Sequence, residues 1–432
     1  MLPISAMKER NGVRPLSIIS NNSTSDNERK ELNVASNYDD MLVALPTEIR
    51  ELIIQKLDIA DYHCFGAVCK SWRSIAIAAK QNQNFCLQQL PWLLLFSNNF
   101  QDGHHGFFSL SHGKVFKLKL PEVHGVQCCG SSWGWLIMTN HSGENFLLNP
   151  FSRSRIQLPS ETKLPNFTHC TYTQKGLCTV YIGKAMLMSP PAIPLTASNR
   201  SDIELANNDC VIAAIYNYSF LVFCRPGDQA WTYFENSQLS VAYRDIIFYN
   251  DHLYVVTDGY DLILIELGRH PKGTKLNMPC PEGYDPLFPK DVFIYLVESC
   301  GELLMVVRHW NFSLEQSSLS PITTMFEVFK LDPSGPRWIK VDSLGDQMLF
   351  VGTSNGISLS ARHFSGFMGN CIYFTHESFA KLFVNASDLQ TLRDFSVFSL
   401  EDGTIKSFFP IDSNSSLSTS ICLSEVSYGF SL

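Results

Sequence analysis

The segment Asp245–Leu267, DIIFYNDHLYVVTDGYDLILIEL, decides the fold. Ile246-Ile247-Phe248-Tyr249 leads to a turn at Asn250-Asp251, then Leu253-Tyr254-Val255-Val256, a turn at Asp258-Gly259, and Leu262-Ile263-Leu264-Ile265. β-branched and aromatic side chains fill the runs, while Asn, Asp and Gly, which tolerate tight-turn backbone, separate them. The segment reads as a three-stranded antiparallel meander.

Similar units lie on both sides of it. Trp133–Met138, a turn at His141–Gly143 and Phe146–Leu148 form one. Val211–Ile215, Phe220–Phe223 and Ala230–Phe234 form another. Phe293–Val297, a Gly301 turn, Leu303–Val307 and Phe326–Leu331 form a third, with a polar insertion at Asn311–Thr323. Cys371–Phe374, Leu382–Val384, Phe395–Phe398, a turn at Glu401-Asp402-Gly403 and Ile405–Phe409 follow. Leu90–Phe96 is apolar but far short of the roughly 20 residues that span a bilayer, and reads as a buried strand. Sheet units repeating every 40 to 50 residues or so bury both faces only when stacked around a ring, so the expectation is a β-propeller of six or seven blades over residues 90–415. Residues 416–432 are expected to be a C-terminal tail.

Before residue 90 the period is helical. Leu45, Ile49, Leu52, Ile53 and Leu57 share one face of a 3.6-residue period, with Glu48, Glu51, Gln55 and Lys56 on the other. Pro46 suits the first turn, where its missing N–H costs nothing. Asp58 can cap a second helix, which would present Phe65, Val68, Cys69, Trp72, Ile75 and Ala76. Residues 43–82 thus form a helical unit too small for a comfortable core of its own. Residues 1–40 show little periodicity and read as a flexible tail. The fold class is α plus all-β.

Composition bounds the function. Hydrophobic residues make up 45% and charged residues 17% of the 432 residues, enough apolar material for a full core. A formal net charge of -8 gives no basic field, which disfavours nucleic-acid and anionic-membrane binding. Thirteen cysteines without an even framework suit reduced, buried thiols, and no signal-peptide core opens the chain. The expected location is the nucleus and/or cytoplasm. The basic, Ser-containing start keeps an organelle address open.

Catalytic signals are thin. Gly130–Gly134 and Gly352–Gly356 match Gly-x-Ser-x-Gly, but neither Ser132 nor Ser354 precedes a helix, as a nucleophile elbow requires. His104, His105 and His112 lack the spacing of a compact zinc site, and Cys128-Cys129 is not a Cys-x-x-Cys pair. No cofactor and no metal are expected, and the protein reads as a non-enzyme. Trp231, Trp310 and Trp338 read as sheet-packing residues. Loops 99–106, 225–229, 268–291 and 309–323 are candidate capture surfaces.

Leu45-Pro46-Thr47-Glu48-Ile49, with Ile53, Leu57, Phe65, Val68-Cys69-Lys70 and Ser71-Trp72-Arg73, resembles an F-box. Beyond it, Cys129-Gly130-Ser131-Ser132-x-Gly134-Trp135, Leu148-Asn149-Pro150-Phe151-Ser152-Arg153, the Ile247–Tyr254 meander and Glu401-Asp402-Gly403 resemble plant F-box proteins with a DUF295 or KIB1-4 type propeller. The resemblance implies a substrate-recognition subunit of an SCF-type ubiquitin ligase. Its F-box would bind a Skp-type adaptor and, through it, cullin and RING subunits, while the propeller selects a protein substrate. It implies an adaptor surface of Leu45, Pro46, Ile49, Ile53 and Leu57, with Val68 and Trp72 completing it or forming the internal core. The alternative is a non-ligase propeller scaffold or ligand-binding protein.

Overall fold

The computed structural model describes residues 45–54, 57, 65, 68–81, 90–95, 104–111, 113–123, 126–140, 142–164, 182–191, 210–234, 242–267, 271–276, 278–284, 292–312, 321–352, 354–375, 395–407 and 421–424. The chain divides into two units, Met1–Phe85 and Cys86–Leu432.

In the first unit, helix α1 spans Thr47–Ile54 and α2 spans Lys70–Gln81. Pro46 lies just outside α1, and its carbonyl accepts from the Ile49 and Arg50 N–H groups at 3.1 and 3.2 Å. The second helix is not continuous through Phe65 and Trp72 as the periodicity suggested. Cys69 interrupts it, and the Cys69 carbonyl accepts the Arg73 N–H at 2.9 Å to start α2. Gly66, Val68 and Cys69 are all weak helix formers, which suits a break there. Phe65 and Trp72 still meet, ring centroids 4.3 Å apart.

The second unit is a ring of six sheets, which settles the blade number. Strands β1 (Trp92–Leu95), β2 (His104–Ser109) and β3 (Lys114–Lys119) belong to blade one. Blade two holds β4 (Val126–Ser132), β5 (Trp135–Asn140), β6 (Asn145–Leu148) and β7 (Arg155–Leu158). Blade three holds β8 (Ile182–Leu187), β9 (Ile212–Tyr216), β10 (Phe220–Cys224) and β11 (Thr232–Phe234). The starting meander is β12 (Tyr243–Tyr249), β13 (His252–Thr257) and β14 (Leu262–Glu266), to which blade four adds β15 (Lys272–Leu276). Blade five holds β16 (Val292–Ser299), β17 (Glu302–Phe312), β18 (Pro321–Leu331) and β19 (Trp338–Val341). Blade six holds β20 (Gln347–Val351), β21 (Ile357–Ser360), β22 (Cys371–Thr375), β23 (Phe395–Ser399) and β24 (Ile405–Ser407). Finally β25 (Ile421–Ser424) returns to blade one and pairs antiparallel with β1, from Trp92↔Ser424 to Leu95↔Ile421.

Three expectations change here. The segment from 416 is not simply a tail, because β25 lies within it as the inner strand of blade one; three apolar or sulfur-bearing residues among serines carry too little pattern to be seen. Trp133-Gly134 is a turn rather than the start of a strand, with both residues at positive φ (55 and 75°). Blade six has an extra strand, β20, which lies between β21 and β22 and runs parallel to β22. Leu382–Val384 lies outside the described residues.

The core lies between blades. Trp135, Ile137 and Leu147 of blade two pack with Ile212, Ala214 and Val222 of blade three, and equivalent clusters join blades three to four, four to five, five to six and six to one. The blade one to two junction is aromatic: Phe151, in the turn after β6, sets its ring 5.6 Å from Trp92 and 6.2 Å from Phe107. Each cluster is fed by two sheets, so a blade alone would expose both its faces.

Candidate functional site

Helix α1 turns an unexpected face inward. Arg50 and Ile54, one helical turn apart, are its buried residues. Arg50 donates from Nη1 to Ser71 Oγ at 2.6 Å and from Nη2 to Thr47 Oγ1 at 3.2 Å, clamping α1 to α2. The apolar stripe therefore faces away: Ile49 is 44% and Leu52 59% exposed, Pro46 is exposed, and Leu45, Ile53 and Leu57 are half-buried. Val68 is 37% exposed, whereas Trp72 is only 6% exposed and belongs to the core of the unit. The sequence reading placed Arg50 on neither face, although its four-residue step to Ile54 was the available signal.

In the ring, the inner strands are tied to one another by polar side chains. Ser132 Oγ accepts from the Leu187 N–H at 3.1 Å and from Asn355 Nδ2 at 2.7 Å, joining blades two, three and six. Lys184 Nζ lies 2.6 Å from Asp245 Oδ1, joining three to four, and Asp245 Oδ2 accepts the Leu296 N–H at 2.8 Å, joining four to five. Ser299 and Ser358 hydroxyls, 2.7 Å apart, join five to six. Burial pushes the Asp245 carboxyl up from its ordinary value, opposed by the Lys184 ammonium and the Leu296 and Ile246 N–H groups. Breaking such a buried pair costs about 3–5 kcal/mol.

The inner strands of blades two, three and four each carry a bulge, beside Cys129, Gly183 and Arg244. Bulges bend and twist a strand, which helps three inner strands converge on one axis.

This geometry gives both Gly-x-Ser-x-Gly matches structural roles. A Cβ on Gly130 would lie 1.9 Å from the Ala185 carbonyl oxygen, and one on Gly356 2.4 Å from Val297 Cγ2, so each glycine permits close approach of neighbouring blades. Ser132 is a hydrogen-bonded interblade contact in a hairpin, and Ser354 is fully buried. Among the described residues no group of three or more His, Cys, Asp and Glu could hold a metal ion. His104 and His105 lie on β2, and His112 falls outside the described residues.

The tryptophans read as structural are buried. Trp231 Nε1 donates to the Pro159 carbonyl at 2.8 Å and Trp338 Nε1 to the Tyr260 carbonyl at 3.0 Å, each linking adjacent blades, and Trp310 packs 6.0 Å from Phe293. The candidate loops are shorter than expected. Residues 104–106 are in β2, 272–276 form β15, and 309–312 and 321–323 extend β17 and β18. At 225–229 a tight turn is held by the Arg225 N–H donating to Asp228 Oδ2 at 2.7 Å.

The link from blade four to five is latched by Tyr284, whose hydroxyl donates to Glu327 Oε2 and lies 2.8 Å from His309 Nε2. Lys340 Nζ donates to Glu327 Oε1 at 2.7 Å. Burial pushes Glu327 up, but the hydrogen bonds from Lys340, Tyr284 and His309 outweigh it and hold the carboxyl below its ordinary value.

An exposed apolar helix face on a clamped helical pair, with a six-bladed ring of sheets, defines a two-part scaffold. The F-box domain family matches residues 42–77, and the KIB1-4 beta-propeller family matches residues 107–399. The chain belongs to the KIB1-4 β-propeller family, with an F-box before the ring. Among Arabidopsis thaliana proteins, it is 26% identical to the F-box/kelch-repeat protein KIB1 over 82% of this chain and 81% of that one. It is 24% identical to F-box protein KIB4 over 77% and 81%, and 26% identical to the putative F-box protein At3g25750 over 86% and 94%. An F-box joined to a propeller is the architecture typical of substrate-receptor subunits of SCF-type ligases.

Proposed function

We propose that the chain is the substrate-recognition subunit of an SCF-type cullin–RING ubiquitin ligase. The observation that carries the reading is the outward apolar face of α1, on a unit that matches the F-box. Ile49, Ile53, Leu45, Pro46 and Leu57, joined by Leu52 and Val68, present that face to a Skp-type adaptor, and Trp72 supports it from behind. Cullin and RING subunits follow through the adaptor, and the ring holds a protein substrate, with ubiquitin transfer performed by other subunits. The work is done in the nucleus or cytoplasm.

Co-purification tests this. The intact chain brings down a Skp-type adaptor and cullin, and a Leu45→Ala/Pro46→Ala form loses both while its ring stays folded. An intact chain that binds no adaptor in a stoichiometric reconstitution would sink the reading.

A further inference from the structure

Strand β18 outruns the strand that covers it. It spans Pro321–Leu331, but β19 pairs only with Val328–Leu331. From 321 to 327, β17 lies on one side and, among the described residues, no strand lies on the other. The backbone groups pointing away from β17 there have no backbone partner among the described residues. The side chains are open as well: Ile322 is 49% and Met325 41% exposed, and Thr324 is exposed. The Tyr284 ring meets Tyr260, Phe329 and His309 toward blade four, and its hydroxyl reaches the Glu327 side chain at one end of this stretch.

An uncovered edge is a template for another strand, and proteins usually blunt one with charge, proline or a bulge. Here Pro321 stands at the far end, and Thr324 is a bulge, the extra residue between the His309↔Met325 and Trp310↔Thr323 pairs. A bulge raises local twist, which disfavours a long flat partner and suits a short one. Where β19 stops, the charge is unbalanced. Among the described residues Glu327, Asp342 and Glu282 all act on the Lys340 ammonium, which pairs directly with Glu327, so the carboxylates around it outnumber it. Asp342 follows the last residue of β19, on the line an incoming strand would extend.

We propose that the open edge of β18 at residues 321–327 is the docking site for a short extended segment of the recruited protein, which adds as a strand and carries Lys or Arg. The edge supplies hydrogen bonds to any extended backbone, Ile322 and Met325 supply an apolar contact, and Asp342 and Glu282 select the charge. The assignment rests on the ring being the substrate-binding half, but its test needs no ligase component.

The probe is an end-capped peptide of about nine residues alternating Val and Lys, long enough to cover the edge. Controls are the same peptide with alternate amides N-methylated and one with Glu for Lys. With the purified full chain, exchange of the amides within 322–327 that point away from β17 should slow by about tenfold or more on adding the Val/Lys peptide. Neither control should slow it, and a Glu282→Lys/Asp342→Lys form should need more peptide. Slow exchange of those outward amides without peptide, their slowing on concentrating the chain alone, which makes a second copy the occupant, or no slowing at saturating peptide would each overturn the proposal. Loss of adaptor binding bears on the ligase reading alone, and failed protection of 322–327 on the edge alone.

Discussion

Glu161 gives the ring a measurable dependence on pH. It sits just after blade two, 1% exposed, and its carboxyl has one hydroxyl partner, Thr139 Oγ1 at 2.9 Å. The backbone around it is fixed: its N–H donates to the Gly143 carbonyl at 2.8 Å, and the Pro159 carbonyl accepts from Asn145 Nδ2 and Trp231 Nε1. Burial pushes the carboxyl up from 4.5 to about 7, with the Thr139 hydroxyl pulling weakly the other way.

Between those two values the folded chain holds a proton that the unfolded chain has released, so stability falls as pH rises through them and levels off above about 7. At about 1.4 kcal/mol per tenfold change in proton affinity, the full loss is roughly 3 kcal/mol. Glu161→Gln keeps the shape and the hydroxyl contact but cannot ionise. Urea denaturation should find the variant more stable than the parent by roughly 2–3 kcal/mol at about pH 8, and the two nearly equal at about pH 4.5. Parallel stability profiles across that range would refute the reasoning.

Replacing Ile49 and Leu52 together by Ala should leave the fold intact, since about half of each side chain is already in solvent. Adaptor affinity measured by calorimetry should fall by about 2 kcal/mol, roughly 30-fold, if the exposed remainder is buried on docking. Gly130→Ala should cost about 3 kcal/mol or more, because the methyl group meets the Ala185 carbonyl and neither backbone can retreat, whereas Gly335→Ala, with open space around it, should leave the thermal midpoint unchanged. Trp231→Phe deletes the indole N–H that the Pro159 carbonyl accepts, leaving that carbonyl Asn145 Nδ2 alone, and shrinks a buried ring; it should cost about 1–3 kcal/mol in denaturation without loss of adaptor binding.

The strands in the middle of most blades could be read because apolar neighbours on both sides demand continuous hydrophobic runs such as Leu262-Ile263-Leu264-Ile265. The inner strands β4, β8, β21 and β25 escaped, since Gly, Ser or Lys interrupts their apolar residues, and the exposed outer strand of blade four escaped as well. Lys272–Leu276 is largely exposed, so solvent imposes no apolar pattern on it, and it is recognisable only by its pairing with β14. β20 was hidden differently: Met348-Leu349-Phe350-Val351 is strongly apolar, yet nothing in it says that it enters blade six parallel to β22. In the helical unit, spacing located the apolar stripe but not which way it faced. Ile49 looks like a core residue until the Arg50 clamp to Ser71 sets the helix rotation.

Blade one is assembled from the two ends of the ring-forming chain, Trp92 facing Ser424. A ribosome moving along the message therefore releases the helical unit long before the ring can shut, and five blades must wait with an unsealed seam for the last strand to arrive. Late contacts of such sequence separation fold slowly and invite mispairing in the meantime. A nascent or prematurely terminated product would thus carry the helical segment on an unclosed ring, the kind of half-built molecule that cellular triage removes.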